Sequence, residues 1–312
     1  MKNNPFPYTT DNKRYHTYNY FTRTHYGNKA FKVSIDAGFT CPNRDGTCAS
    51  GGCNFCSDRG SGDMILQTPD IEAQIHHSTD IMKSKWPDAS LIAYFQAYSN
   101  THSDLQTLKD LYTPFFYDDR FVSIDIATRS DCLDDEKIAY FAEMAKLKDL
   151  TIEIGLQSIH PETSEWMNRG HDLDSVTQCI KKLKDANIRT CVHIINGFPI
   201  ETIEDMIETA EYLAELKPAM VKIHMLHIIA GTKLGSQYKR NPFPIMDQAT
   251  YVDLIVRQLE ILPADIVIAR LTGDGIPDDL LAPIWTLKKV QVLNDIDKLM
   301  VAKDTWQGKH AK

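Results

Sequence analysis

The chain has 312 residues, 43% of them hydrophobic, enough for a sizeable core in one large domain or two small ones. No run approaches the roughly 18 apolar residues that a membrane span needs. The N-terminus, MKNNPFPYTTDNKRYH, is polar and aromatic rather than signal-like, which points to a cytoplasmic protein with no membrane partner. A net charge of −8 excludes attraction of nucleic acid by the whole-molecule field, so any RNA partner must meet a local patch.

In chain order, residues 1–30 stand apart as a basic and aromatic segment. From Asn12 to Ile35 there is no acidic residue, while Lys13, Arg14, Arg23, Lys29 and Lys32 alternate with Tyr15, Tyr18, Tyr20, Phe21, Tyr26 and Phe31. Basic side chains here would meet phosphates, and exposed aromatics would stack unpaired bases. The alternative is that the aromatics pack the segment onto the body of the protein.

Six apolar, β-rich runs follow: FKVSIDA at 31–37, SLIAYF at 90–95, FVSIDIA at 121–127, LTIEIGL at 150–156, RTCVHIIN at 189–196 and MVKIHMLHI at 220–228. Helix-like stretches separate them at 69–84, 134–148, 173–186 and 202–215. Strands alternating with helices imply a parallel sheet, and strands this apolar are expected to be covered on both faces. An α/β barrel, complete or partial, is therefore expected over residues 31–240. A doubly wound sheet fits less well, because no G-x-G-x-x-G follows the first strand. Beyond it, residues 241–312 read as a C-terminal extension that caps or closes the barrel: a turn-rich NPFPIMD, a helix at 247–261, a short strand at 266–269 and a helical region from about 277 to 303.

Seven cysteines without a signal peptide argue for metal or redox chemistry where they cluster, which is only between Cys41 and Cys56. The first strand runs into GFTCPNRDGTCASGGCNFCS, so the cluster loop (38–57) sits at the C-terminal end of a strand, where α/β barrels carry their chemistry. Cys-x2-Cys brings two thiolates onto one metal centre, and Gly46, Gly51 and Gly52 let the backbone fold tightly around it. Cys41, Cys53 and Cys56 are the expected ligands, with Cys48 a bystander; three thiolates leave one iron open, whereas four would close the site. A zinc knuckle is the competing reading of this loop alone. Cys132, Cys179 and Cys191, like Met220, Met225 and Leu226, read as core.

CPNRDGTCASGGCNFCS, together with FQAYSNT, IATRSDC, EIGLQS, NRGH and INGFP, resembles the radical S-adenosylmethionine (SAM) superfamily, and more narrowly its YhcC/YtqA branch, a relative of the elongator catalytic subunit. The resemblance implies a partial (β/α)6 barrel, a [4Fe–4S] cluster with one open iron, and SAM chelating that iron to yield a 5′-deoxyadenosyl radical on reduction. Carried over by motif, Phe55 lies near the adenine. Tyr98, Ser99 and Asn100 stand where many relatives hold the methionyl amine on a glycine-rich turn. Ala127 replaces a SAM-contacting glutamate, for which Asp125 or Thr128 substitutes. Gln157, Ser158 and Arg169 are further SAM contacts, His171 follows Arg169, and His193 takes the place of an aspartate facing the ribose. Each of these polar residues also has a plain reading as a cap or turn residue. Glu153 is as readily structural as functional, and so are His224 and His227.

The same resemblance implies tRNA as substrate, with 5-carboxymethylaminomethyl-uridine at the wobble position converted to 5-aminomethyl-uridine. Hydrogen abstraction from the glycine-like CH2, oxidation to an imine and hydrolysis would release a two-carbon oxo acid. A reductant such as flavodoxin or ferredoxin and a downstream tRNA methyltransferase are the implied partners. The substrate carboxylate needs a cation, and Arg270 in ARLTGDG, beside Thr272 and Asp274, is the candidate. The alternatives are a radical SAM enzyme for another RNA or small molecule, and a non-catalytic zinc-bearing RNA-binding protein.

Overall fold

A computed structural model describes residues 4–60, 62 and 65–311. The strands are β1 (Ala30–Ile35), β2 (Ser90–Phe95), β3 (Phe121–Thr128), β4 (Asp149–Gln157), β5 (Arg189–Asn196), β6 (Met220–Met225), β7 (Ile228–Ile229), β8 (Val267–Arg270) and β9 (Leu280–Ala282). The helices are α1 (Tyr18–His25), α2 (Ile71–Lys83), α3 (Leu105–Phe116), α4 (Asp135–Met144), α5 (Pro161–Trp166), α6 (Leu173–Asp185), α7 (Ile203–Leu216), α8 (Lys233–Arg240), α9 (Gln248–Ile261) and α10 (Lys289–Ala302). Seven strands form one sheet in the order β1-β2-β3-β4-β5-β6-β8, every neighbouring pair parallel. The result is a partial barrel with α-helices around its outer face.

Eight of the described helices start on a side-chain cap. Thr17, Asp70, Asp104, Asp134, Asp172, Thr202, Thr232 and Asp247 each accept a hydrogen bond from a backbone N–H in the first turn, and Thr202 forms a reciprocal capping box with Asp205. Such caps contribute about 1 kcal/mol each. They fix where each helix begins after its loop, and so where the loops at the sheet's C-terminal edge lie.

The strands alternate. One set of side chains, including Val33, Ile35, Phe95, Ile124, Ile126, Ile152, Ile154, Val192, Ile194, Val221 and Ile223, is fully buried in the layer shared with the helices. The other set faces the lumen, and it is polar: Lys32, Tyr94, Asp125, Glu153, His193 and Lys222 bond to one another across six strands. Two-sided apolar cover, expected from the sequence, therefore holds only for the helix side. The lumen tolerates charge because each buried ion has an opposite partner.

Two further expectations change, and one open alternative is decided. The barrel gains a seventh strand, β8, from residues 241–312, and α9 and α10 continue the outer helical ring. The helix expected from about 277 starts at Lys289; before it, Pro277 and Pro283 interrupt helical geometry, and β9 pairs antiparallel with β7. In the N-terminal segment the aromatics pack rather than offer a stacking surface. Tyr15 and Phe31 belong to the main core, and Tyr18 and Phe21 of α1 pack on Cys191, Met220 and Val267 at the N-terminal ends of β5, β6 and β8. Of its basic residues, Lys13 pairs with Asp297, Arg14 is buried against Asp304, Lys29 stacks on Trp86 and Lys32 enters the lumen.

Candidate active site

The cluster loop leaves β1 at its C-terminal end and is held from three sides. Arg44 and Asp45 donate their backbone N–H groups to Cys41 O at 2.7 and 3.2 Å, and Cys56 N–H reaches Cys53 O at 3.0 Å. From the loop after α5, Asn168 Nδ2 donates to Gly52 O at 2.8 Å and Met167 O accepts from Asn54 N at 2.9 Å. From the loop after β2, the Tyr98 ring covers Gly60, where a Cβ would come within 2.9 Å of it. The Tyr98 hydroxyl donates to Asp58 O, and Arg44 lies over the same ring.

Cys41, Cys53 and Cys56 are half-buried and form no disulfide within this frame. Burial pushes the Cys53 thiol up, opposed by an amide hydrogen bond from Asn43 Nδ2 at 3.5 Å. Metal binding would displace that proton. Cys48 points elsewhere: its sulfur accepts from Arg129 Nη2 at 3.5 Å and lies 3.3 Å from where a Cβ on Gly170 would stand. Gly170 has φ +77°, so this close approach requires glycine on both counts.

Arg169 tests whether an anionic cofactor fits here. Its side chain is fully buried, Nη2 donates to Gly155 O at 2.7 Å, and Nη1 has no partner among the described residues. Burial lowers its pKa to about 10, and the Cys53 sulfur is the foremost group acting against that. A buried guanidinium with an unpartnered amino group, in electrostatic reach of Cys53, suits a sulfur-bound, negatively charged centre or a carboxylate beside it. Arg129, which donates to Arg169 O at 2.7 Å and pairs with Asp131, fixes the arginine's backbone.

The remaining sequence-nominated residues fall into two groups. Around the cluster loop, Phe55 packs with Met167, Phe198 and Leu226. Ser99 N–H donates to Thr40 O at 3.2 Å. Asn100 spends its amide donors on Ala97 O and Ala127 O at 2.7 and 3.0 Å, leaving Oδ1 unpartnered. Thr128 bonds Thr101 at 2.6 Å, and Ser158 bonds Glu201 and the backbone of His160. Gln157, at φ +60°, folds back over Gly155, whose missing Cβ would stand 2.4 Å from its amide nitrogen.

Asp125 and His193 lie deeper, in the lumen. Asp125 Oδ2 is 2.6 Å from Lys32 Nζ, and His193 Nε2 is 2.8 Å from Glu153 Oε2. Burial and then the Lys222 ammonium push His193 down to about 4, so the ring is neutral. Glu153 is the hub, accepting also from Lys32 and, at 2.6 Å, from Lys222. Burial opposes its charge, but Lys222, Lys32 and His193 outweigh it and hold its carboxyl well below the usual value. Lys222, which shares Glu153 with Lys32, is lowered by burial to about 8. Arg270 ends β8, its guanidinium 3.0 Å from Asp274 Oδ2. His224 in the neighbouring strand β6 and His227 just after it each have Nε2 buried and unpartnered among the described residues.

Asn43, Arg129, Lys32 and Lys222 are site residues that the motifs did not nominate. Lys32 and Lys222 carried a signal, a lysine centred in an otherwise apolar strand.

The radical SAM superfamily model matches residues 45–213, and the Radical_SAM C-terminal domain model matches residues 218–302. The chain belongs to the radical SAM superfamily. Its cofactors are accordingly a [4Fe–4S] cluster and SAM. Within the superfamily it lies in the YhcC/YtqA branch, related to Elp3. It is 44% identical to the uncharacterized protein YtqA of Bacillus subtilis over 99% of this chain and 96% of that protein. Protein YhcC of Escherichia coli is 27% identical over 88% of each. A tRNA uridine(34) acetyltransferase of Methanocaldococcus jannaschii is 28% identical over 50% of this chain and 29% of that protein. Among solved structures, Methanocaldococcus infernus Elp3 superposes with a TM-score of 0.67 at 16% identity, covering 90% of this chain and 64% of that one, a likeness of fold. No helix among the described residues is long and apolar enough to cross a membrane.

Proposed function

We propose that this radical SAM enzyme modifies the wobble uridine of tRNA, converting the 5-carboxymethylaminomethyl group to 5-aminomethyl. The observation that carries the reading is the relation of its barrel to proteins named for tRNA uridine(34) chemistry, shared over half the chain. When bound, the cluster and SAM supply a 5′-deoxyadenosyl radical able to take hydrogen from a C–H bond.

In this reading Cys41, Cys53 and Cys56 hold the cluster, and Arg169 meets negative charge beside Cys53. Phe55, Tyr98, Ser99, Asn100 and Gln157 border the SAM side of the mouth. Across the lumen, Arg270 binds the substrate carboxylate, exchanging part of its pairing with Asp274 for a bidentate contact. His224 and His227 offer neutral nitrogens to the same group or to the secondary amine. The ion-paired floor of Lys32, Asp125, Glu153 and Lys222 keeps the lumen fixed and polar beneath the reacting CH2.

Nucleoside mass spectrometry of tRNA from a strain lacking the protein tests this. The carboxymethylaminomethyl nucleoside should accumulate; an unchanged profile in the deletion strain rejects the tRNA assignment.

A further inference from the structure

Outside the lumen, the face of the protein beside the cluster loop carries a charge pattern that the proposed chemistry does not use. Between Glu215 and Asp247 the sequence has no acidic residue, in a chain whose net charge is −8. That interval includes α8, with Lys233, Lys239 and Arg240 all exposed and none joined to a carboxylate among the described residues. Beside it lies a concavity of about 460 Å³ lined by Asn54, Thr232, Lys233, Ser236, Gln237 and Arg240.

The concavity is fastened to the metal-ligand loop. Leu234 N–H donates to Asn54 O at 2.8 Å, and Asn54 is the residue immediately after Cys53 and two before Cys56. Asn54 Nδ2 also donates to Trp166 O, which anchors the junction to the barrel. Lys233 lies across Gly51, with Nζ 2.6 Å from where a Cβ would stand. Thr232 caps α8 through Gly235 N–H at 2.9 Å, so the helix carrying the cations is fixed in orientation.

The geometry points to this face as the docking site of an acidic one-electron carrier protein, with α8 supplying the cations that hold it over Cys53–Cys56. Electron transfer weakens steeply with distance, so a donor must approach the cluster closely. A cationic surface bonded directly to the loop between two of the ligands meets that need. Charge complementarity favours an acidic partner and would raise its association rate in a salt-dependent way. The inference rests on the cluster being held by Cys41, Cys53 and Cys56.

The test compares two electron sources for 5′-deoxyadenosine formation by the reconstituted enzyme: dithionite, and photoreduced flavodoxin as the acidic protein donor. The variant is Lys239→Glu/Arg240→Glu, distant from Gly51; beside the rates, binding of flavodoxin to the reconstituted enzyme without SAM is titrated, and the variant should bind at least tenfold more weakly, an equal affinity overturning the docking site. The double variant should keep its dithionite-supported rate while the flavodoxin-supported rate falls at least tenfold, and the wild-type flavodoxin rate should fall with added salt. Equal rates with flavodoxin in wild type and double variant overturn the docking site. Unchanged flavodoxin rates with weakened tRNA binding would also overturn it, and would assign the face to RNA phosphates. If wild type forms no 5′-deoxyadenosine even with dithionite, it is the cluster assignment that fails.

Discussion

Lys222 Nζ lies 2.6 Å from Glu153 Oε2, joining β6 to β4 across the lumen by a pair of buried charges. The same carboxylate bonds Lys32 and His193; removing its charge leaves Lys222 with no carboxylate partner among the described residues, while Lys32 keeps Asp125. Glu153→Gln should destabilise the protein by about 3–5 kcal/mol, the usual penalty for breaking a buried pair from one side. Denaturant unfolding of the metal-free protein measures it; a loss below about 1 kcal/mol would mean that water already reaches the network.

The lysine of that pair makes stability depend on pH in a definite direction. Its pKa falls from 10.5 in the unfolded chain to about 8 in the fold, so between these values the unfolded state binds the extra proton. The stability of wild type relative to Lys222→Met should therefore rise as pH increases from about 8 to 10.5 and stay level below that window. Paired urea titrations across this range read the difference directly. A difference that shrinks with rising pH would show the lysine to be stabilised in its charged form.

The thiols divide three to one. Cys41→Ala, Cys53→Ala and Cys56→Ala should each abolish iron and sulfide retention after anaerobic reconstitution, and with it SAM cleavage. Cys48→Ala should retain both, since its sulfur is engaged by Arg129 and packed at Gly170. Iron analysis and 5′-deoxyadenosine formation check this together, and zinc at one equivalent without labile sulfide would replace the cluster by a knuckle.

Arg169 and Arg270 should fail differently. Losing a hydrogen bond to a charged group costs about 1.5–3 kcal/mol, so Arg169→Met should weaken SAM binding to the reconstituted protein by about tenfold or more. Equilibrium dialysis with labelled SAM measures it, with a thermal melt to confirm folding. Arg270→Ala should instead leave uncoupled SAM cleavage near wild type while turnover of the carboxymethylaminomethyl nucleoside falls by at least tenfold. Equal losses in both assays would remove Arg270 from substrate recognition.

The helix-facing half of the fold was legible in the sequence because apolar residues alternate within each strand, as Val33 and Ile35, Ile124 and Ile126, Ile152 and Ile154, and Val221 and Ile223 do, flanked by helical periodicity. The lumen half was not. Lys32 and Glu153 are 121 residues apart, and nothing local to either announces the other. The seventh strand was visible as 266–269, but its place beside β6 depends on pairing, which a single sequence does not encode locally. The three cysteines proposed as metal ligands stand out by their spacing, whereas Asn43 and Arg129, which hydrogen-bond to Cys53 Sγ and to Arg169 O, are ordinary polar residues until their neighbours are known.

The two ends of the chain meet beneath the lumen. His16 N–H donates to Gln307 Oε1 at 2.8 Å, Gln307 N–H donates to Arg14 O at 2.9 Å, and Ile268 N–H reaches His16 O at 2.8 Å. Together these seat α1 over the gap left where β1 and β8 do not pair. Closure at the base therefore rests on a contact between residues 291 positions apart in sequence, the kind of non-local pairing whose loop-closure entropy must be met before it stabilises anything.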